Sequence, residues 1–147
     1  MLRFFQINEQ RPCDATFKAA GDLKTGMLVK YDYATKTVDV ADSATTTNVA
    51  FVNKAPVPYG LNAARADFSD YDEQFNTIKE GEFVVLNMLD NADVIGTDQF
   101  DNSLVANDFV EAGTDGKVVK ASGTTHFQFL GTYNDNGHTL ARVRYVD

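Results

Sequence analysis

The dipeptide Asn136-Gly137 constrains the fold more than any other feature of this sequence. It stands between two runs that are rich in strand-forming residues. Asn-Gly readily adopts the left-handed backbone that a two-residue hairpin turn requires, and such a turn joins antiparallel strands. The sequence therefore predicts strands over 126–133 and 138–146, joined by a turn at 134–137.

The composition favours strands along the rest of the chain. Val, Ile, Thr, Phe and Tyr together make up a third of the 147 residues, and these side chains suit a pleated, half-buried surface. Asp outnumbers Glu by 16 to 5, and Asp favours turns where Glu favours helix interiors. We therefore expect an all-β chain with many tight turns.

Further runs between turn residues are predicted as strands. They are 2–8, 27–33, 36–41, 48–53, 83–89, 92–97, 104–112 and 117–121. The run 83–89 is apolar without alternation, which is typical of a strand buried on both faces. Residues 54–80 break the pattern with prolines and with interleaved aromatic and acidic residues. We predict a small barrel or sandwich of antiparallel strands with an irregular excursion at 54–80.

The chain length fits one β-rich domain. The pattern also allows two packed β subdomains, 1–53 and 81–147, joined by 54–80. Cys13 is the one cysteine, which excludes an intramolecular disulfide and any zinc site built on a thiolate pair. The stability of the fold must therefore come from an apolar core.

Charge and hydropathy exclude two classes of partner. The net charge is −8 and no two basic residues are adjacent, so the chain lacks a phosphate-tracking stripe and we expect no nucleic-acid partner. No apolar stretch approaches the ~18 residues of a membrane span. Polar residues interrupt the first ten positions before a signal-peptide core develops. We expect a protein made in a cytoplasm, with no membrane partner.

The sequence is poor in residues that carry catalysis. His126 and His138 are the only histidines, and we expect them to be rough cross-strand neighbours in the terminal hairpin without a third metal ligand. The acidic cluster at 67–73 is predicted to be a solvated surface. The sequence contains no Walker A phosphate-binding motif, no Gly-x-Ser-x-Gly nucleophile elbow and no glycine-rich dinucleotide-binding motif. We predict no enzymatic activity, no cofactor and no metal, unless both histidines and an acid line one cavity.

Three segments of the C-terminal half carry a family resemblance. They read DVIGTDQF at 93–100, NDFVEAG at 107–113 and DGKVVKA at 115–121, and the closing strand contains LARV at 140–143. These sequence motifs resemble those of the decoration, or head-stabilisation, proteins of tailed bacteriophages, and the resemblance covers roughly residues 78–147. Asn107 stands where the family pattern has glycine in a turn, and Asn tolerates a left-handed backbone better than most residues.

The resemblance implies a non-enzymatic structural protein of the virion. Such a protein is made in the host cytoplasm, binds the outer surface of the capsid lattice and stabilises it. Its partner is the major capsid protein, and it commonly forms a homo-oligomer on the capsid. These properties are expectations here, because the motifs that carry the resemblance are turns and strands rather than a chemical signature.

Two groups of residues are candidates for docking. The first is the N-terminal segment, where an extended arm can add a strand to an exposed sheet edge; its residues are Leu2, Arg3, Phe4, Phe5 and Ile7. The second group, for oligomer or capsid contact, lies in the excursion and consists of Phe68, Tyr71 and Phe75. The alternative is that these aromatic rings fill the protein's own core.

A second functional class also fits the composition. In a tail-associated or carbohydrate-binding β module, exposed aromatic rings serve as stacking platforms for sugars. Tyr59, Tyr71 and Tyr133 are the candidates for that role. Saturable glycan binding by the isolated protein distinguishes this class from capsid decoration.

Overall fold

The computed structural model describes residues 1–7, 14–41, 47–55 and 71–147, and in these ranges the chain is mainly β. In chain order the elements are β1 (Leu2–Gln6), β2 (Lys18–Ala19), β3 (Leu23–Lys24), β4 (Leu28–Asp32), β5 (Thr37–Val40), β6 (Val49–Lys54), α1 (Glu73–Asn76), β7 (Thr77–Ile78), β8 (Val84–Asn87), β9 (Val94–Thr97), β10 (Phe109–Ala112), β11 (Val118–Lys120), β12 (Phe127–Asp135) and β13 (His138–Tyr145). None of the helices in these ranges is long and apolar enough to cross a bilayer.

The strands of the described ranges form two main sheets and one short ribbon. The first sheet has the order β1-β9-β13-β12-β10-β11 and is antiparallel throughout. The second has the order β2-β5-β4-β6-β8 and is antiparallel except for the β2–β5 pair. The ribbon pairs β3 with β7. The described strands do not close into a barrel, and the sandwich form of the predicted all-β fold is confirmed.

Two apolar cores lie on the two faces of the second sheet. Phe51 of β6 packs with Ile95 and Val143 of the first sheet, so the first core joins the two sheets face to face. Ala50 and Val52, the neighbours of Phe51, point into the second core on the opposite face. Successive strand side chains alternate between faces, so the continuous apolar run of β6 reflects burial on both sides.

Residues 14–20 include β2 at one edge of the second sheet, and they also hydrogen-bond to β8 at its other edge. The amides of Val84 and Leu86 donate to the carbonyls of Phe17 and Asp14 (3.0 and 2.9 Å), while the amide of Lys18 donates to the carbonyl of Lys36 at 3.0 Å. A segment that reaches both edges requires the sheet to curl. The second core, which includes Phe17, lies inside this curl.

The terminal hairpin forms as predicted. Asn136 and Gly137 both have positive φ, 52° and 92°, and β12 and β13 flank them. The structure extends the predicted first strand to Asp135, because the turn needs only two residues. Asn107 also has a positive φ, 75°, a left-handed backbone that asparagine tolerates better than most residues.

Two strand predictions were wrong in part. The run 104–112 begins its strand only at Phe109, because 101–104 and 105–108 form two successive turns, and in the second the amide of Val105 donates to the Asp108 carboxylate. The run 83–89 is buried on both faces only in part: Val84 and Leu86 lie in the second core and Asn87 is 5% exposed, but Phe83 at the start of the run is 52% exposed.

Strand pairing crosses the predicted subdomain boundary. β1 belongs to the sheet built from 94–145, and β8 belongs to the sheet built from the first half of the chain. Of the excursion at 54–80, residues 56–70 lie outside the described ranges. Its C-terminal end forms the single-turn helix α1 and then β7, which pairs with β3.

Gly26 lies where the backbone before β4 comes very close to Thr97 of β9 and to Met1. Gly26 has a φ of 91°, and its carbonyl accepts a hydrogen bond from the buried Thr97 hydroxyl at 2.7 Å. A Cβ at this position would lie 2.5 Å from that hydroxyl oxygen and 2.6 Å from the carbonyl oxygen of Met1. Only glycine fits both the backbone angle and the space.

Candidate docking surface

The outward side of the first sheet is defined by the alternation along β13. Ala141 and Val143 point into the core between the sheets. His138, Leu140 and Arg142 therefore point to the opposite side, which we call the outer face. Three of the predicted docking residues, Arg3, Phe5 and Tyr71, contact this face, and so it is the candidate site.

Phe5 covers the middle of the outer face. The register of β1 against β9 passes from Phe4 directly to Gln6, so Phe5 is the extra residue of a β-bulge. Its ring lies over Gly96, where a Cβ would clash with the ring, and next to the fully buried Leu140. Bulges re-aim side chains, and this one directs a large ring onto the outer face.

Phe5 and Tyr133 form an exposed aromatic pair. Their ring centroids are 5.0 Å apart with an interplanar angle of 74°, the edge-to-face geometry that aromatic rings prefer. Phe5 remains 40% exposed and Tyr133 44% exposed. Together they present a preformed aromatic platform to the solvent.

The rest of the N-terminal candidate group divides into buried and exposed members. Leu2 is 7% exposed and belongs to the core between the sheets, so its side chain holds β1 in place. Phe4 and Ile7 are 49% and 38% exposed. β1 is an edge strand of the sheet, and these two residues add apolar surface along that edge.

A hydrogen-bonded cluster fixes one end of the outer face. The Asp135 carboxylate accepts a bond from Arg3 Nε at 3.0 Å and another from the Tyr71 hydroxyl at 2.7 Å. The Tyr71 ring stacks on His138 with centroids 3.6 Å apart. The cluster therefore ties β1 and the end of the excursion to the terminal hairpin.

The cluster shifts the pKa values of its members. Burial, followed by the hydrogen bond to Asp135, raises the pKa of Tyr71 to about 12. The bonds from Tyr71 and Arg3 lower the pKa of Asp135. At neutral pH Tyr71 is therefore a protonated donor and Asp135 an ionised acceptor, which is the arrangement that favours both bonds.

Two candidate groups that are far apart in sequence thus meet on one surface. Arg3 and Tyr71 share Asp135 as their acceptor. Phe75 is half-buried in α1, and the adjacent Gln74 carbonyl accepts a bond from Lys54 of β6. Phe68 lies outside the described residues.

The histidines are not cross-strand neighbours, and that expectation was wrong. Because the turn lies at Asn136-Gly137, His138 pairs with Asp135 at one end of the hairpin. His126 lies at the other end, where its Nδ1 is 3.1 Å from the Val146 carbonyl oxygen and its ring stacks on Tyr145. Within the described ranges no three His, Cys, Asp or Glu side chains are grouped as metal ligands would be.

Sequence reasoning missed the role of Asp135. It assigned this residue to the turn, whereas the residue ends a strand and accepts two bonds from distant segments. The two-residue turn carried the missing signal, since it makes Asp135 and His138 a cross-strand pair. Tyr133, considered only as a sugar platform, lies two residues before Asp135.

No family model, curated protein or solved structure matches this chain. The outer face itself therefore supplies the argument for function. Its properties are an exposed edge strand, a preformed aromatic pair and a polar cluster that holds both in position.

Proposed function

We propose that this protein is a non-enzymatic structural protein of a bacteriophage virion that binds the outer surface of the capsid lattice and stabilises it. The observation that carries the proposal is the set of large apolar side chains exposed on the edge strand β1 and beside it: Phe4, Phe5, Ile7 and Tyr133. Aromatic anchors held rigidly at a surface are typical of the residues that dominate protein–protein binding energy. The segment resemblance supplies the identity of the partner, the major capsid protein.

The physical requirements of lattice binding match this chain. A decorating protein needs an ordered fold and a docking surface, and no side chain has to perform chemistry. Copies that associate with one another, as a homo-oligomer on the capsid, are retained far longer than one contact allows, because the contacts act together. In this proposal the protein is made in the host cytoplasm, needs no cofactor and resides on the capsid exterior.

β1 offers a specific mode of attachment. As an edge strand it can pair with an extended segment of a capsid subunit, which continues the sheet by main-chain hydrogen bonds. The exposed rings of Phe4 and Phe5 then provide apolar contact on both sides of the added strand. Arg3 keeps its bond to Asp135 and holds the strand at the correct position.

Co-sedimentation with undecorated heads of the encoding phage tests the proposal. We expect the wild-type protein to saturate at a fixed number of copies per capsomer. The double variant F4S/F5S should lose occupancy at least about tenfold, since each lost aromatic anchor is worth roughly 1–2 kcal/mol or more. A deletion of 1–7 is a poor test, because it removes the core residue Leu2.

A matched control uses exposed rings elsewhere. Tyr33 and Phe83 are 55% and 52% exposed and lie beside strands of the second sheet. The variant Y33S/F83S should bind heads as the wild type does. If folded wild-type protein does not bind heads at all, the proposal is wrong, and saturable glycan binding becomes the next measurement.

A further inference from the structure

Arg142 and Arg144 carry charges that the described part of the protein leaves without a partner. Both lie on β13 and, two residues apart, both point to the outer face. Their Nε atoms are buried, and neither has a hydrogen-bond acceptor within the described ranges. Arg3, on the same face, is by contrast paired with Asp135 at 3.0 Å.

These arginines are distinguished from the other basic residues of the described ranges by Nε atoms that are buried and have no hydrogen-bond partner. The net charge is −8, so carboxylates are abundant, and Lys79, Lys117 and Lys120 each lie within 2.9 Å of an Asp oxygen. The fold therefore brings these three lysines close to carboxylates, two of them from distant parts of the chain. Despite this excess of carboxylates, Arg142 and Arg144 form no ion pair within the described ranges.

The cross-strand neighbours of Arg142 are Gly96 on β9 and Gly131 on β12. The Phe5 ring fills the space over Gly96, whereas the space over Gly131 is open, among the described residues, apart from Arg142 itself. A terminal nitrogen of Arg142 lies 3.8 Å from the position that a Cβ of Gly131 would occupy, so the guanidinium reaches over a strand that has no side chain there. Arg144 lies about 7 Å further along β13, which is the distance that two residues of a strand span.

We propose that Arg142 and Arg144 bind an extended acidic segment of a protein partner, with carboxylates at alternate positions meeting the two guanidinium groups. Guanidinium and carboxylate groups match in charge and in planar, two-pronged geometry. Alternate side chains of an extended segment share one face and repeat at the arginine spacing. This inference rests on the proposed function, because it names the chemistry of the capsid segment that lies across the outer face.

Charge complementarity favours an acidic polypeptide over a nucleic acid. A chain with a net charge of −8 repels a polyanion, whereas a short segment with two carboxylates interacts mainly with the local pair of arginines. The neighbouring Phe5 and Tyr133 rings add apolar contact for a polypeptide. Aromatic residues and arginine together form the composition that is enriched in binding hot spots.

Fluorescence anisotropy with a labelled peptide of alternating threonine and glutamate tests the inference on the full-length protein. We expect R142Q/R144Q to weaken binding about tenfold or more, because two charge-assisted contacts are lost. The control variant K18Q/K30Q has the same net charge as R142Q/R144Q, but its substitutions lie in the second sheet. Its affinity for the peptide should stay within about twofold of that of the wild type. Urea denaturation of each variant verifies that it is folded.

Three outcomes overturn the inference: no binding of the glutamate peptide, equal weakening by both double variants, or tighter binding of a single-stranded oligonucleotide than of the peptide. Head co-sedimentation separates this inference from the proposed function. If R142Q/R144Q decorates heads as the wild type does, the arginine site is wrong and the decoration role stands. If the peptide binds through the arginines and heads are not bound, the decoration role is wrong and the site stands.

Discussion

Substituting Gly96 by alanine tests the outer face without removing any of its exposed side chains. A Cβ at this position occupies space that the Phe5 ring fills, so the ring must move aside. Gly96 does not require a positive φ, and alanine is therefore compatible with its backbone. The substitution moves the Phe5 ring without removing it. It therefore tests the placement of the ring separately from its presence.

The expected loss of stability follows from three contributions. Moving Phe5 breaks the edge-to-face contact with Tyr133, worth about 0.5–1.5 kcal/mol. The ring is 40% exposed, so it also loses a partial burial worth about 1–2 kcal/mol. Replacing glycine by alanine in a strand stabilises the folded protein by about 0.5–1 kcal/mol, which offsets part of this loss. The free energy of unfolding of Gly96→Ala should therefore fall by about 0.5–3 kcal/mol.

Urea denaturation followed by circular dichroism measures this loss, and head co-sedimentation measures docking. We expect occupancy of heads to fall while the protein stays folded. Gly21→Ala is the control, because a Cβ there meets no atom within 4 Å, and it should stay within about 0.5 kcal/mol of the wild type. Unchanged stability of Gly96→Ala together with an unchanged Phe5–Tyr133 nuclear Overhauser contact would refute the placement of the ring.

Further predictions follow from the polar cluster, the Asp carboxylates and the glycine between the sheets. Asp135→Asn should lower the pKa of Tyr71 from about 12 towards its ordinary value, as read from the NMR titration of the tyrosine ring carbon. Hydrogen bonds lower the pKa values of Asp108 and Asp135 in the folded protein, so their contribution to stability is present above the unfolded carboxyl pKa of ~3.9 and is lost as the pH falls through the folded values. Urea midpoints should therefore be level near neutral pH and decline below about pH 5, and a midpoint that rises on acidification contradicts this. Gly26→Ala should destabilise the protein by about 2–4 kcal/mol in the same urea assay, because strain and overpacking combine, and a loss no larger than that of the open-position control Gly21→Ala contradicts the close approach.

Local features of the sequence were sufficient to predict the longer strands and the tightest turn, but not the two-residue strands β2, β3 and β7. Asn136-Gly137 predicts its hairpin because both residues tolerate positive φ, and the alternation at 37–41 indicates β5 directly. The pairing of distant strands has no such local signal. β1 joins β9 and β8 joins β6 because their apolar faces complete different cores, and periodicity specifies a buried face without specifying its partner.

The candidate site was predictable in part for the same reason. Adjacent Phe4 and Phe5 imply that one ring points to each face, but only the bulge determines that Phe5 lies over Gly96. Tyr71 and Arg3 are 68 positions apart, and nothing local indicates that they share Asp135. Contacts of this kind depend on tertiary structure, so the sequence named the residues and the fold supplied their grouping.

The position of β1 in a sheet made from the second half of the chain has a consequence for folding order. The strand at 2–6 pairs with residues 94–97, which a ribosome adds about 5–20 s later at typical rates of synthesis. During that interval the segment has no edge to join, and its adjacent phenylalanines are open to unwanted association. Pairing over such a sequence separation is also slow, because loop closure precedes the favourable contacts. The strand that we assign to docking is therefore completed late, so a chain interrupted before β9 cannot present it in its native form.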